Sequence, residues 1–159
     1  MPHPGIGLHA VFGEISAVLF LWTFVEVYRG VDQTNVVRVR RISLVALISL
    51  ALAWIIGGNY YLTGYQQIKE LIVEGPQPWS HLVFMEAKEH IFLFLPVLAI
   101  LQTIALRAHD EISGDARYAI LVITGLLILV AFLMAGMGYL ITSGFRAATE
   151  PALLLGGGL

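Results

Sequence analysis

Imidazole and carboxylate side chains stand at the start of two apolar segments in this chain. The stretch MEAKEHIFLF at residues 85–94 brings Glu86, Glu89 and His90 to the head of one segment, and His9 stands near the head of another. Drawn as a helix, the first three side chains fall within an arc of about 100° and share one face. Neutral imidazole is a usual protein ligand of haem iron, copper and zinc, and carboxylates bind metals or orient the imidazole ring. The pattern therefore predicts a pocket for haem or a metal ion.

A haem b between two membrane helices takes one histidine from each helix, at similar depth. His9 and His90 meet this condition best, because a rise of 1.5 Å per residue from a common side of the membrane puts them within about 6 Å of one level. We expect these two histidines to ligate the haem iron or another metal. Four further residues are expected to hold the imidazole rings or to contact a quinol: Glu86, Glu89, Asn59 and Tyr60.

A non-haem metal site can be built from the same side chains. Its ligands would be His9, His90, Glu86 and Glu89. Two histidines with two carboxylates suit iron or zinc, whereas the thioethers of Met134 and Met137 on the fourth apolar segment would favour copper. Iron, zinc and copper therefore remain alternatives to haem b.

Composition limits the class of protein. The 159 residues are 58% hydrophobic and 13% charged, with a mean hydropathy of +0.82. A soluble domain of this length could not bury so much apolar surface, which predicts an integral membrane protein. The absence of cysteine excludes disulfides, iron–sulfur clusters and thiolate-bound metals. A net charge of −2 without a basic tract makes nucleic acid an unexpected partner.

Four segments are long and apolar enough to cross a bilayer, which takes about 20 residues. We predict an all-α bundle of four transmembrane helices that forms one membrane domain over residues 1–159. The predicted spans are 7–28, 42–63, 80–106 and 118–142, followed by a tail at 147–159. Between the second and third spans, Tyr65, Ile68, Leu71 and Ile72 recur at helical spacing, which predicts a short amphipathic helix on the membrane surface.

Positive charge collects in the first and third connections between the predicted spans. These arginines are Arg29, Arg38, Arg40 and Arg41 in the first connection, and Arg107 and Arg117 in the third. The opposite side carries only Lys69 and Arg146. Cytoplasmic connections are rich in Lys and Arg, so the first and third connections are predicted to be cytoplasmic. Both termini and the short helix then lie on the outer side, and the cytoplasmic membrane of a prokaryote is the expected location.

Three ionisable groups are expected to lie outside the pocket. Lys88 falls on the opposite side of its helix from His90, and Glu14 lies off the polar seam of its own helix at similar depth. Glu14 and Lys88 are expected to form a charge pair with each other or with another chain. His81 follows Trp79, an interfacial type of residue, and is expected to be solvated there.

These expectations together indicate an electron-transfer subunit. Four spans with histidines near one face are similar in general plan to small membrane b-type cytochromes. The rise per residue puts the pocket in the outer leaflet, and we expect it to hold haem and a quinol, with electrons passing between the quinol and a partner on the outer side. The expected partners are the lipid bilayer and other membrane or outer-side redox subunits. The alternative is an accessory or assembly subunit without catalysis, whose charged side chains pair with a larger complex.

Overall fold

The fold is known from a computed structural model that describes residues 4–109 and 111–154, with 151–154 described by their backbone alone. Within these residues the protein is helical and contains no strand. The helices are α1 (Pro4–Arg29), α2 (Val36–Thr63), α3 (Tyr65–Glu74), α4 (Glu86–Ile91), α5 (Phe94–Ala108) and α6 (Gly114–Leu154). A π-helical segment, Ser80–Met85, leads directly into α4.

Four helical stretches are long and apolar enough to cross a membrane. They are Pro4–Arg29, Val36–Thr63, Ser80–Ala108 and Gly114–Glu150. The prediction of four membrane helices is therefore confirmed, and we call Ser80–Ala108 the third span. Helix α6 is longer than the predicted fourth span, because the chain stays helical through residues 147–154, the first part of the predicted tail. Residues 155–159 of that tail lie outside the described residues.

The membrane helices pack in the cyclic order α1, α2, third span, α6, with α6 closing the ring against α1. Among the described residues, α1 and the third span do not pack against each other, so they lie diagonally across the bundle. An apolar layer contributed by all four helices fills the middle of the bundle. Its buried members are Phe20, Ala46, Leu50, Leu95, Ala99, Leu127 and Met134. His9 and His90 therefore belong to diagonally opposite helices.

One end of the bundle is formed by residues 30–35, between α1 and α2, and by residues 109 and 111–113, between α5 and α6, and we call it the arginine end. Arg117, in the first turn of α6, donates through Nε to the Val27 carbonyl at 3.0 Å and through Nη2 to the Tyr28 carbonyl. These carbonyls belong to the last turn of α1, which lacks intrahelical donors and carries partial negative charge. The guanidinium of α6 therefore caps the end of α1.

Arg40 makes the matching contact from α2. Its Nε donates to the Leu106 carbonyl at 2.8 Å and its Nη2 to the His109 carbonyl at 2.7 Å, where α5 ends. Each capping arginine lies near the start of its own helix and closes a helix that is distant in sequence. At the arginine end, one cap fixes the height of α1 relative to α6, and the other fixes the height of α2 relative to the third span.

A buried polar network lies between the apolar layer and the arginine end. The Ser43 hydroxyl donates to Gln102 Oε1 at 2.8 Å and lies 3.1 Å from the Thr103 hydroxyl. Gln102 Nε2 donates in turn to Thr124 Oγ1 at 3.3 Å. All four residues are buried, so these bonds join α2, α5 and α6 in the interior of the bundle. Interhelical hydrogen bonds of this kind hold membrane helices together.

The opposite end, which we call the α3 end, is built around the far half of α6. At 1.5 Å per residue, the 41 residues of α6 span about 61 Å, more than the roughly 40–45 Å of a bilayer with its headgroups. Helix α3 packs against this extension, where Tyr65 and Ile72 are buried with Ile141. The short helix predicted between the second and third spans is present, and its position on the membrane surface stays a prediction.

Small residues let α6 approach the start of the third span closely. A Cβ on Gly144 would lie 2.7 Å from the Cβ of Ser80, a separation that real side chains do not reach. A Cβ on Gly75, after α3, would likewise lie 2.8 Å from the Cβ of Ala148. Both glycines are therefore required by packing at the α3 end.

Candidate functional site

His9 is held in a fixed orientation between α1 and α2. Its Nδ1 lies 2.8 Å from the Ala53 carbonyl, and because a carbonyl only accepts, Nδ1 carries the proton and Nε2 presents a lone pair. The ring lies over Gly57, where a Cβ would be 2.5 Å from Nδ1. An imidazole whose Nδ1–H is anchored on a backbone carbonyl has the tautomer that binds metal through Nε2.

Lys88 lies inside the bundle, in the same half as His9. Its Nζ is 3.2 Å from the position that a Cβ on Gly138 of α6 would take. The expectation that Lys88 points away from the pocket is wrong. Lys88 and His90 do lie on opposite sides of α4, but the side that faces the interior is that of Lys88, which stands seven residues, about two turns, before buried Leu95.

His90 and Glu86 lie exposed on α4, whereas Glu89 is half-buried. The Nδ1 of His90 is 2.7 Å from the Glu86 carbonyl, so this ring also carries its proton on Nδ1 and leaves Nε2 without a hydrogen bond to the described residues. His9 and His90 thus have the same tautomer on diagonal helices. The structure does not bring the two rings into contact.

A cluster of aromatic and ionisable side chains joins α2, α3 and the third span at the α3 end. The Tyr65 hydroxyl lies 2.9 Å from His81 Nδ1, and the Glu89 carboxylate lies near the Tyr61 hydroxyl. The rings of Tyr61 and Tyr65 are stacked with centroids 5.5 Å apart. His81 is only 2% exposed, so the expectation that it is solvated at the interface is wrong. Helix α3 folds back over it, a tertiary contact that local spacing does not reveal.

Tyr65 titrates abnormally because of this packing. Burial raises the pKa of its hydroxyl, and the neighbouring Tyr61 and Glu89 raise it further. Unfolded tyrosine has a pKa of about 10, so the folded state retains the proton more strongly than the unfolded state. The resulting contribution to the free energy of unfolding is complete below pH 10 and is lost as pH rises towards the folded-state pKa.

Substituting Tyr65→Phe is expected to lower the free energy of unfolding by about 1–3 kcal/mol, because it leaves the buried Nδ1 of His81 without its partner. The variant should also lose part of the decrease in stability that the natural protein shows above pH 10. Thermal melts of the detergent-solubilised protein from pH 7 to 11 measure both effects. Tyr139→Phe, at a side chain that is 74% exposed, is the matched control. Equal melting temperatures and pH profiles for the two variants would contradict the role given to Tyr65.

The remaining predicted pocket residues lie in four different settings. Asn59 is exposed and its backbone carbonyl accepts from the Thr63 hydroxyl at 2.8 Å. Tyr60 is half-buried, with its ring against Gly64. Met134 is buried in the apolar layer among carbon atoms, and Met137 lines an apolar groove on the surface of α6. Packing therefore accounts for Met134.

Glu14 is exposed near the middle of α1. Within residues 4–109 and 111–154 it makes no ion pair with Lys88, whose side chain lies in the interior of the bundle. The ion pair that the structure does show joins Glu26 and Arg38 at 2.8 Å, at the arginine end. A carboxylate exposed to lipid costs a few kcal/mol unless it meets protein or water.

The chemistry of this half of the bundle follows from its donor set. The interior presents one anchored imidazole and one ammonium group, with the tyrosine cluster above them. No group of three or more His, Asp or Glu side chains that could hold a metal ion occurs among the described residues. The arrangement suits a ligand that needs one imidazole and carries negative charge better than it suits a bare cation, which Lys88 would repel.

No protein-family model, curated protein or solved structure matches this chain.

Proposed function

We propose that this protein is a membrane-embedded redox subunit that carries a haem b near the α3 end of the bundle, with His9 as an axial ligand. The observation that carries the proposal is the hydrogen bond from His9 Nδ1 to the Ala53 carbonyl, which leaves Nε2 for the iron. When bound, the haem supplies a one-electron centre that a quinol can reduce.

Lys88 supports haem over a non-haem metal. Haem b carries two anionic propionates, and an interior ammonium with no carboxylate bonded to it among the described residues complements them. A non-haem iron, zinc or copper ion at His9 would instead meet the like charge of Lys88. His90, the predicted second axial ligand, is exposed on the side of α4 opposite Lys88, so it can take that position only if α4 rotates when haem binds.

The direction of electron transfer follows from the proposed orientation. The arginine end is cytoplasmic in this proposal, since the positively charged connections mark the inner side. The haem, the tyrosine cluster and both termini then lie towards the outer side of a prokaryotic cytoplasmic membrane. Glu89, Tyr61 and Tyr60 are the proposed contacts for a quinol, and an outer-side redox subunit receives the electron.

A second candidate function is that of an accessory subunit without a cofactor, and Glu14 is the observation that favours it. An exposed carboxylate at mid-span is stabilised when a helix of another chain donates a hydrogen bond to it. In this case the protein would assemble a larger membrane complex through the exposed face of α1.

A reduced-minus-oxidised absorption spectrum of the purified protein in detergent tests the proposal. We expect Soret and α bands of haem b in the natural sequence and their loss in His9→Ala. His109→Ala, at an exposed histidine of the arginine end, is the control and should keep both bands. Loss of the bands in His90→Ala assigns the second ligand, whereas retention with a high-spin spectrum leaves His9 as the single protein ligand. A haem-free protein with stoichiometric iron, zinc or copper would favour the non-haem site, and absence of both cofactors would leave the accessory role.

A further inference from the structure

One face of α6 carries four polar side chains at the α3 end. Tyr139, Thr142, Ser143 and Arg146 are spaced i, i+3, i+4 and i+7, so they lie on one side of the helix, and they line a common shallow pocket. Tyr139, Thr142 and Arg146 are exposed. The pocket therefore opens on the outer surface of the helix bundle.

The length of α6 places this pocket at the boundary of the bilayer. Arg117 marks the arginine end of α6, and Arg146 lies 29 residues further along the same helix. At 1.5 Å per residue this is about 44 Å, close to the full thickness of roughly 40–45 Å that includes the headgroups. Tyr139, about 33 Å along the helix by the same rise, then lies at the outer boundary of the hydrocarbon core, which begins about 5–8 Å in from the same edge and is about 30 Å thick. Exposed Trp79 stands beside Ser80, which packs on Gly144, as expected for an aromatic belt at this level.

Two donors of this pocket, the Arg146 guanidinium and the Ser143 hydroxyl, are not used elsewhere in the described structure. The Arg146 guanidinium forms no ion pair or hydrogen bond within residues 4–109 and 111–154, and only its backbone carbonyl accepts a long bond, from Thr149 at 3.5 Å. The Ser143 hydroxyl likewise has no hydrogen bond there. The Thr142 hydroxyl donates to the Gly138 carbonyl at 2.9 Å. A guanidinium beside hydroxyl groups provides the donors that phosphate oxygens accept.

An apolar groove continues from the pocket towards the middle of the membrane. It has a volume of about 320 Å³ and lies along α6, with Phe84 of the π-helical segment as its side wall. Leu129, Leu133, Gly136 and Leu140 belong to its lining. No atom lies within 4 Å of the position that a Cβ on Gly136 would take, so the groove is open at this glycine. Its position below a headgroup-level pocket suits a hydrocarbon chain.

We propose that α6 carries a binding site for one anionic phospholipid, whose phosphate sits at Arg146 and Ser143 and whose acyl chain lies in the groove over Gly136. Free phosphate would use only the upper pocket, and an uncharged lipid would use only the groove. A phospholipid uses both, because the two parts adjoin on α6, where Tyr139 and Ser143 of the pocket each stand three residues beyond Gly136 and Leu140 of the groove. This proposal is independent of haem binding, since it uses neither His9 nor Lys88.

The test uses the full chain in detergent, delipidated and then titrated with phosphatidylglycerol while thermal stability is followed. We expect phosphatidylglycerol to raise the melting temperature, with about tenfold weaker apparent binding in Arg146→Gln. Arg41→Gln removes the same charge from an exposed arginine of the opposite end and should bind as the natural protein does. Gly136→Leu, which fills the open part of the groove, should weaken phosphatidylglycerol binding without lowering the melting temperature of the lipid-free protein.

Two comparison ligands decide whether both halves of the site act together. Diacylglycerol lacks the phosphate, and inorganic phosphate lacks the acyl chains. Either of them matching phosphatidylglycerol at equal concentration would overturn the proposal, and so would equal binding by the natural protein and Arg146→Gln. A response to phosphatidylglycerol alone that is weakened by both Arg146→Gln and Gly136→Leu would establish the site.

Discussion

Substituting Gly144→Ala is expected to destabilise the protein by about 1–3 kcal/mol, the usual cost of forcing a methyl group into a packed site. For a chain of this length that corresponds to a decrease of roughly 3–10 °C in melting temperature. The new Cβ would lie 2.7 Å from the Cβ of Ser80, so α6 and the third span must separate where α3 packs over them. Thermal melts in detergent measure the loss.

A second substitution separates this clash from a general effect of alanine. Gly136→Ala adds the same methyl group to the same helix at a site with no atom within 4 Å, so it should leave the melting temperature unchanged or raise it slightly. Ser80→Gly removes the opposing side chain and should restore much of the stability lost in Gly144→Ala. If Gly136→Ala is as unstable as Gly144→Ala, close packing at Gly144 is not the cause.

Gly57→Ala is expected to displace the His9 ring and to remove haem from the protein. A Cβ at this position would lie 2.5 Å from Nδ1 and 2.8 Å from Cε1 of the ring, so the bond to the Ala53 carbonyl cannot persist. We expect a loss of about 1–3 kcal/mol in the free energy of unfolding. On the proposed function, the reduced-minus-oxidised absorbance per protein should decrease to the level of His9→Ala.

The double variant Gly57→Ala with His9→Ala distinguishes ligation from packing. Truncating His9 removes the ring that the new methyl group meets, so the double variant should regain stability relative to Gly57→Ala but should still bind no haem. Gly13→Ala, on α1 with no atom within 4 Å, is the control and should retain both stability and absorbance. Full haem occupancy in Gly57→Ala would show that the orientation of His9 by Ala53 is not needed.

The membrane helices could be predicted from sequence because apolar length and the spacing of polar connections are local properties. The side of the third span that faces the interior of the bundle could not be predicted from sequence. The prediction assumed that the side of the helix with the most ionisable groups, that of His90, faces the interior. The buried side is instead the one that continues through Leu95 and Ala99, and it carries Lys88.

The tyrosine cluster was missed for a different reason. Its central bond joins Tyr65 of α3 to His81, and it depends on α3 folding back against the far half of α6. The length of α6 was underestimated because hydropathy falls after residue 142 while the helix continues, with no proline before Pro151 to end it. The network around Gln102 did have a signal, since a glutamine and a threonine interrupt an otherwise apolar run at residues 91–106.

The cap that Arg117 forms on the end of α1 has a consequence for biogenesis. The carbonyls at the end of α1 receive their donor from a residue 90 positions later in the chain. While only the first two spans have been synthesised, the carbonyls at the end of α1 must hydrogen bond to water at the membrane surface. The depth of the α1–α2 hairpin in the membrane is not yet fixed by Arg117. Insertion of the fourth span brings Arg117 to it, so the last membrane helix to be synthesised completes the first.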